Sequence, residues 1–255
     1  KFGVDTLNKE QAEGIGRLTN SMTGRGAVSL TEGQSRFVNV AIFSIKFLKS
    51  NIDTLTAHRL GFGIEKGAAR DFVRREAATN LVKMVGTVGM ILFIAEQLWP
   101  GSVETDSRSA DFGKIKIGAT RFDVTGGMSS LVVLASRLMP STHNGKLSFW
   151  SKSSTSDKYT DLLAGKYGQQ NVLDVLENFI EGKASPLFGV LRDIWKGEHF
   201  GGESVSPTSI TKQLTYPISV QTYLDLEKNP NSANILASMI LEGLGISANT
   251  YSPKK

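Results

Sequence analysis

The sequence predicts a mainly α fold: a helical module carrying one small β-hairpin at about 113–125. Three observations predict it. Apolar residues recur at spacings of three and four in at least five segments. Strict alternation of apolar and polar residues is confined to 114–124. The 255 residues are 40% hydrophobic and 21% charged, a composition that supports a packed core rather than disorder.

The elements follow in order. Residues 1–35 are polar and Gly-rich and are expected to be a lead-in segment of a longer chain, since the sequence opens on Lys1 without a signal peptide. Within them 9–22 can form a helix with Ile15, Leu18 and Met22 on one face, ended at Thr23-Gly24. The remaining 36–255 are expected to be a single helical module. A second helical stretch covers 35–55, with Phe37, Val40, Ala41, Ser44, Phe47 and Leu48 in a bulky stripe. The longest signal runs over 65–99. Ala69, Phe72, Val73, Leu81, Val85, Val88, Leu92, Ala95 and Trp99 trace one face, and Pro100-Gly101 stop it. Its second half is apolar all round. Twelve uncharged residues lie between Lys83 and Glu96, or roughly 18 Å of helix against the ~30 Å of a bilayer's hydrocarbon. A helix buried in protein is therefore expected there, not a lone membrane span.

In the hairpin, Ile115 and Ile117 face one way and Lys114 and Lys116 the other. Gly118-Ala119 suits a two-residue turn with Gly first. Gly126-Gly127 closes the unit, and 128–139 reads as a buried helix ended by Pro140. The Ser-, Lys- and Thr-rich 141–159 reads as an exposed loop. Asn171 is placed to cap a helix carrying Val172, Leu176, Phe179 and Ile180. Ser185-Pro186 starts another, His199 to Gln213 reads as a loop, and Pro230 starts the last helix.

Catalytic chemistry finds little support. Cysteine is absent, which removes disulfides and thiolate metal sites. Asp111-Phe112-Gly113 copies the metal-binding triplet of protein kinases, but without the catalytic-loop His-Arg-Asp or a Gly-rich phosphate loop. The plainer reading is that Gly113 permits a tight turn into the strand. Gly61, Gly63 and Gly67 miss the dinucleotide spacing by one. His58, His143 and His199 stand without a second ligand at metal spacing and read as surface or capping residues. Glu104, Asp106 and Asp111 surround Arg108. A loop tied by carboxylate–guanidinium and backbone N–H bonds is favoured there over a divalent-metal site. No catalytic residue, cofactor or metal is expected. The net charge of +5 and pI of about 9.3 suit a solvated basic surface that tolerates nucleic acid or anionic lipid.

Three segments carry a resemblance. They are the loop and strands of 103–127, with Glu104, Asp106, Arg108, Asp111, Phe112 and Gly113 as their signature, then Phe43-Ser44-Ile45-Lys46-Phe47-Leu48, and the closing Leu244-Gly245-Ile246-Ser247-Ala248-Asn249-Thr250-Tyr251. Together they resemble a module of tailed-phage large polyvalent proteins, the internal virion or ejection proteins. Ala110 departs from the pattern, which has a small polar residue there. The resemblance implies a structural module that assembles as an oligomer near the portal or in an envelope-spanning conduit. It would reside in the virion (capsid interior or portal and tail region) and in the host envelope after ejection. The partners implied are further copies of the chain, other virion proteins, phage DNA and the host membrane. Two alternatives stand beside it: a soluble virion-associated enzyme domain acting on peptidoglycan or nucleic acid, and a membrane-inserting pore segment. The apolar content of 37–48, 84–95 and 235–244 is large for one fragment. It marks Phe37, Phe43, Phe47, Val88, Leu92, Met239 and Leu244 as candidate interface residues.

Overall fold

The structure, a computed structural model, describes residues 8–25, 45–64, 67–165, 168–183, 234–243 and 245–250, with single positions between 190 and 227. The chain divides into two compact units, Lys1–Gly89 and Met90–Lys255.

The first unit is helical. Helix α1 (Lys9–Met22) opens on a capping box in which Asn8 accepts from the Gln11 N–H at 2.8 Å and Gln11 returns the bond at 3.1 Å. Helix α2 (Ile45–Leu60) follows, then a short 3-10 turn (Gly61–Gly63), and helix α3 (Ala68–Leu98) begins. The contact surface of these helices is built from small residues. Gly14, Leu18 and Ser21 are the buried positions of α1, while Met22, expected on the core face, is 49% exposed. The face is turned from the expected one because α1 sits too close to its neighbours for large side chains. A Cβ on Gly14 would lie 2.4 Å from Val73 Cγ2. Ser50, fully buried on α2, donates to the Ser21 carbonyl and closes the α1–α2 contact. Leu18, Ala57 and Ala77 form the core cluster, with Phe62 packed against it. Phe62 holds φ +56, a left-handed conformation that bulky residues rarely adopt.

The second unit contains more strand than expected. Strands β1 (Lys114–Ile117) and β2 (Thr120–Asp123) pair antiparallel across the Gly118-Ala119 turn. Helix α4 (Met128–Arg137) follows Gly126-Gly127, both left-handed. Strands β3 (Ser141–His143) and β4 (Lys146–Ser148) form a second hairpin, and β5 (Trp150–Lys152) and β6 (Tyr159–Asp161) a third. Helix α5 (Val172–Glu181) starts at Asn171, which caps it through the Leu173 and Asp174 N–H groups. Helix α6 (Ile235–Gly243) leads into β7 (Ser247–Thr250), which pairs with β2 and makes the first hairpin a three-stranded sheet, β1-β2-β7.

The fold class therefore needs correction. The chain is mainly helical, but its described residues carry three small sheets where one hairpin is expected. The expected loop at 141–159 is where the difference arises. Asn144-Gly145, both at positive φ (49° and 77°), make the two-residue turn that matches strand twist, and Trp150 anchors β5 by burying its ring and donating to the Ser141 carbonyl. The expected starts at Ser185-Pro186 and Pro230 lie outside the described residues. Of the expected loop from His199 to Gln213 only Ser206 and Ile210 are described, and there the Ile210 N–H donates to the Ser206 carbonyl at 3.0 Å, a helical bond where a loop is expected. Asn234 accepts from the Ala237 N–H at 3.1 Å at the head of α6.

The small-residue contact makes a paired prediction. Gly14→Ala should destabilise the chain by about 1–3 kcal/mol through overpacking. Gly16→Ala, with nothing within 4 Å of the new methyl, should be neutral or stabilise by up to about 1 kcal/mol. Chemical denaturation of the two variants checks this, and equal effects would contradict the close approach.

Candidate functional site: an ion-paired loop and a bare apolar helix

The 102–113 loop is built from polar residues that satisfy one another. Asp106 accepts from the Arg108 backbone N–H and from Arg108 Nε and Nη2, each at 2.9 Å. The Tyr159 hydroxyl donates to the same carboxylate. Burial alone would raise the Asp106 carboxyl, but the Arg108 and Tyr159 bonds outweigh it and hold it well below the usual carboxylate range. Glu104 accepts from the Asp106 N–H at 2.8 Å and pairs with Lys152 at 2.7 Å. Asp111 lies inside and takes Arg121 Nε at 2.7 Å, with both side chains under a tenth exposed. The three acids thus face three different cations. Among the described residues no group of three or more His, Asp or Glu is placed to hold a metal ion.

Backbone bonds close the loop and join it to its neighbours. Gly113 N–H donates to Glu104 O at 2.9 Å, with Gly113 at φ +67, so this glycine turns the chain into β1. Phe112 N–H donates to Ser109 O at 3.2 Å. Lys116 N–H reaches Ser102 O, and the Arg108 carbonyl accepts from Lys152 N–H and from Arg137 Nε. The loop touches the first sheet, the third hairpin and α4 at once. An aromatic stack completes it. Arg108 lies 4.8 Å from the Tyr159 ring centre, and His143 stacks on Tyr159 at 3.9 Å with Trp150 edge-on to it. Sequence reading assigns Tyr159, Arg121, Lys152 and His143 no part in this network. The Asn144-Gly145 dipeptide is the signal that could have placed His143 on a strand.

The candidate interface residues are scattered. Phe37, Phe43 and Leu244 lie outside the described residues. Phe47 is 41% exposed beside Gly24, and Met239 is 40% exposed on α6. Val88 and Leu92 are half-buried with Leu81 and Met84, and Ala95 is buried, along one stripe of α3. Around the rest of that helix Val82, Val85, Met90, Ile91, Phe93, Ile94 and Leu98 are exposed, Val82 at 71%. At ~100° per residue they spread over roughly two-thirds of the circumference. The expected burial of 84–95 is thus confined, within the chain, to one stripe.

Comparison with known protein families, curated proteins and solved structures returns no match.

Two predictions follow from the loop. Asp111→Ala should cost about 3–5 kcal/mol by stranding a buried guanidinium, and Asp106→Ala about 1.5–3 kcal/mol. Urea unfolding midpoints check both, and an unchanged midpoint for Asp111→Ala would contradict the assignment. For pH, Asp161 is held at about 2 by its bonds from Lys146 and Ser148. A carboxyl depressed by folding stabilises the fold above its unfolded value of ~3.9, and loses that contribution as the pH falls toward 2. Trp150 fluorescence should therefore hold steady above about pH 4 and change between there and pH 2. Asp161→Asn should remove that step.

Proposed function

We propose that the chain is a structural assembly module, not an enzyme, of the kind found in tailed-phage internal virion or ejection proteins. One observation carries the assembly reading: the exposed apolar surface of α3 between Val82 and Leu98. A surface helix of a self-sufficient domain turns an apolar stripe inward and a polar face outward. Here one stripe is half-covered and the opposite faces are apolar too. Contiguous apolar exposure of this kind supports a surface that another chain or a membrane covers. Gly86 and Gly89 have nothing within 4 Å of their missing side chains, which leaves room for a neighbouring helix. The occupant under this reading is a second copy of the chain or another virion protein. The net charge of +5 lets such an assembly lie beside packaged DNA.

A second reading has its own support. Helix α3 is long and apolar enough to cross a membrane by length and composition, and only 6% of its apolar window is buried. From 81 to 98 it measures roughly 27 Å, close to the ~30 Å of hydrocarbon, with Lys83 near one end, where a long side chain reaches the interface, and Glu96 near the other. The twelve-residue uncharged core understates this reach.

The discriminating experiment is light scattering and cross-linking of the full chain, with and without liposomes. Assembly through α3 predicts oligomers in the absence of lipid that Phe93→Lys dissociates while the thermal midpoint stays within a few degrees. A monomer that releases dye from liposomes would favour the pore segment. A monomer that ignores lipid would contradict both.

A further inference from the structure

A polar cleft of about 330 Å³ opens between residues 101–104, strand β1 and the 153–157 loop. Three lysines line it. Lys114 and Lys116 are two apart on β1 and so share a face, and Lys152 comes from β5. Lys116 is exposed, and no described residue pairs with it. Lys114 donates to the Ala110 carbonyl at 2.7 Å and stands 3.8 Å from Asp111.

The carboxylates at the wall are already engaged. Asp111 is taken by Arg121, and Glu104 by Lys152 and the Asp106 N–H. Asp157, 3.3 Å from Lys152, is 98% exposed, so solvent and salt screen it. Three lysines (Lys114, Lys116 and Lys152) and three carboxylates (Glu104, Asp111 and Asp157) line the cleft, and Arg121, outside the lining, neutralises Asp111. The loop side supplies hydroxyls. Ser153 Oγ accepts from the Thr155 and Ser156 N–H groups at 3.3 and 3.2 Å, and folds the loop so that Ser154 and Ser156 stay exposed at the rim.

We infer that this cleft is an oxyanion site that takes a phosphate group, with Lys116 as the principal contact, Lys114 and Lys152 beside it, and the Ser154 and Ser156 hydroxyls closing over it. Lysines act as point charges toward phosphate, and the hydroxyls add neutral donors. The phosphate can arrive as a free anion or as a diester in a nucleic-acid backbone. The inference does not depend on what covers α3.

Titration of the isotopically labelled full chain, followed by amide chemical shifts, tests it in two arms: inorganic phosphate and a short single-stranded oligodeoxynucleotide. Saturable shifts at Lys116, Lys152 and 153–156 are expected in at least one arm. Saturation by phosphate alone identifies a free-anion site. Tighter, salt-dependent saturation by the oligonucleotide identifies the backbone of a nucleic acid. Lys116→Gln should weaken binding about tenfold with an unchanged thermal midpoint, and Ser154→Asp should abolish it. Linear shifts in both arms, or wild-type binding by Lys116→Gln, would overturn the assignment.

Discussion

The arrangement of the second unit depends on the Asp111–Arg121 pair. Both side chains are nearly out of water, and an ion pair there survives only when its remaining valences are met. They are met by short-range groups. Arg121 Nη1 donates to the Gly118 carbonyl at 3.1 Å, and Lys114 Nζ stands 3.8 Å from the other Asp111 oxygen. The pair fixes the 102–113 loop onto β2, the central strand between β1 and β7. Once the loop is there, Asp106 and Glu104 reach Tyr159 and Lys152 on the third hairpin. A two-stranded hairpin is marginal alone. These hairpins persist because a charged loop fastens them to one another, with Trp150 as an apolar anchor.

The first unit solves a different problem. Its helices meet through Gly14, Ser21, Ser50, Ala57 and Ala77, so backbones come close and little apolar volume is enclosed. Large apolar residues are displaced to the outside: Met22, Phe47, Ile52 and Leu60 are all more than two-fifths exposed. Helix α3 carries the same tendency furthest. Ala69, Val73 and Ala77 are its buried positions at the start, and past them only Ala95 is fully buried. Among the described residues, small residues take most of the helix contacts beside Leu18 and Val73, and several large apolar side chains face outward. This contrast underlies the assembly reading.

Much of the helical skeleton was legible. The bounds of α1, the stop of α3 near Pro100, the Gly118-Ala119 turn and the Asn171 cap each follow from a local rule that tertiary contacts do not override. Two things were not legible. Which face of a helix is buried depends on how near its neighbour comes, so Ile15 and Met22 read as core from periodicity while Gly14 and Ser21 take that place. Short strands in the Ser-rich stretch have too few residues to establish a period, and β7 has one buried residue, Ala248. The carboxylate–Arg108 loop was readable because its partners are two residues apart. The longer connections to Arg121, Lys152 and Tyr159 have no local signal. Residues 120–123 and 247–250, far apart in sequence, come together as β2 and β7 in one sheet.

Hydrogen exchange at three amides tests the central role of the loop most directly. The Gly113 N–H closes the loop on the Glu104 carbonyl, and the Lys116 and Lys152 N–H groups donate to the Ser102 and Arg108 carbonyls and join the loop to two separate sheets. If the ion-paired loop holds the second unit together, these amides exchange as one cooperative block, at least as slowly as the amides within β1 and β2, and Asp111→Ala accelerates all three together. If they exchange independently, or faster than the strands they connect, the hairpins are held by something else and the account fails.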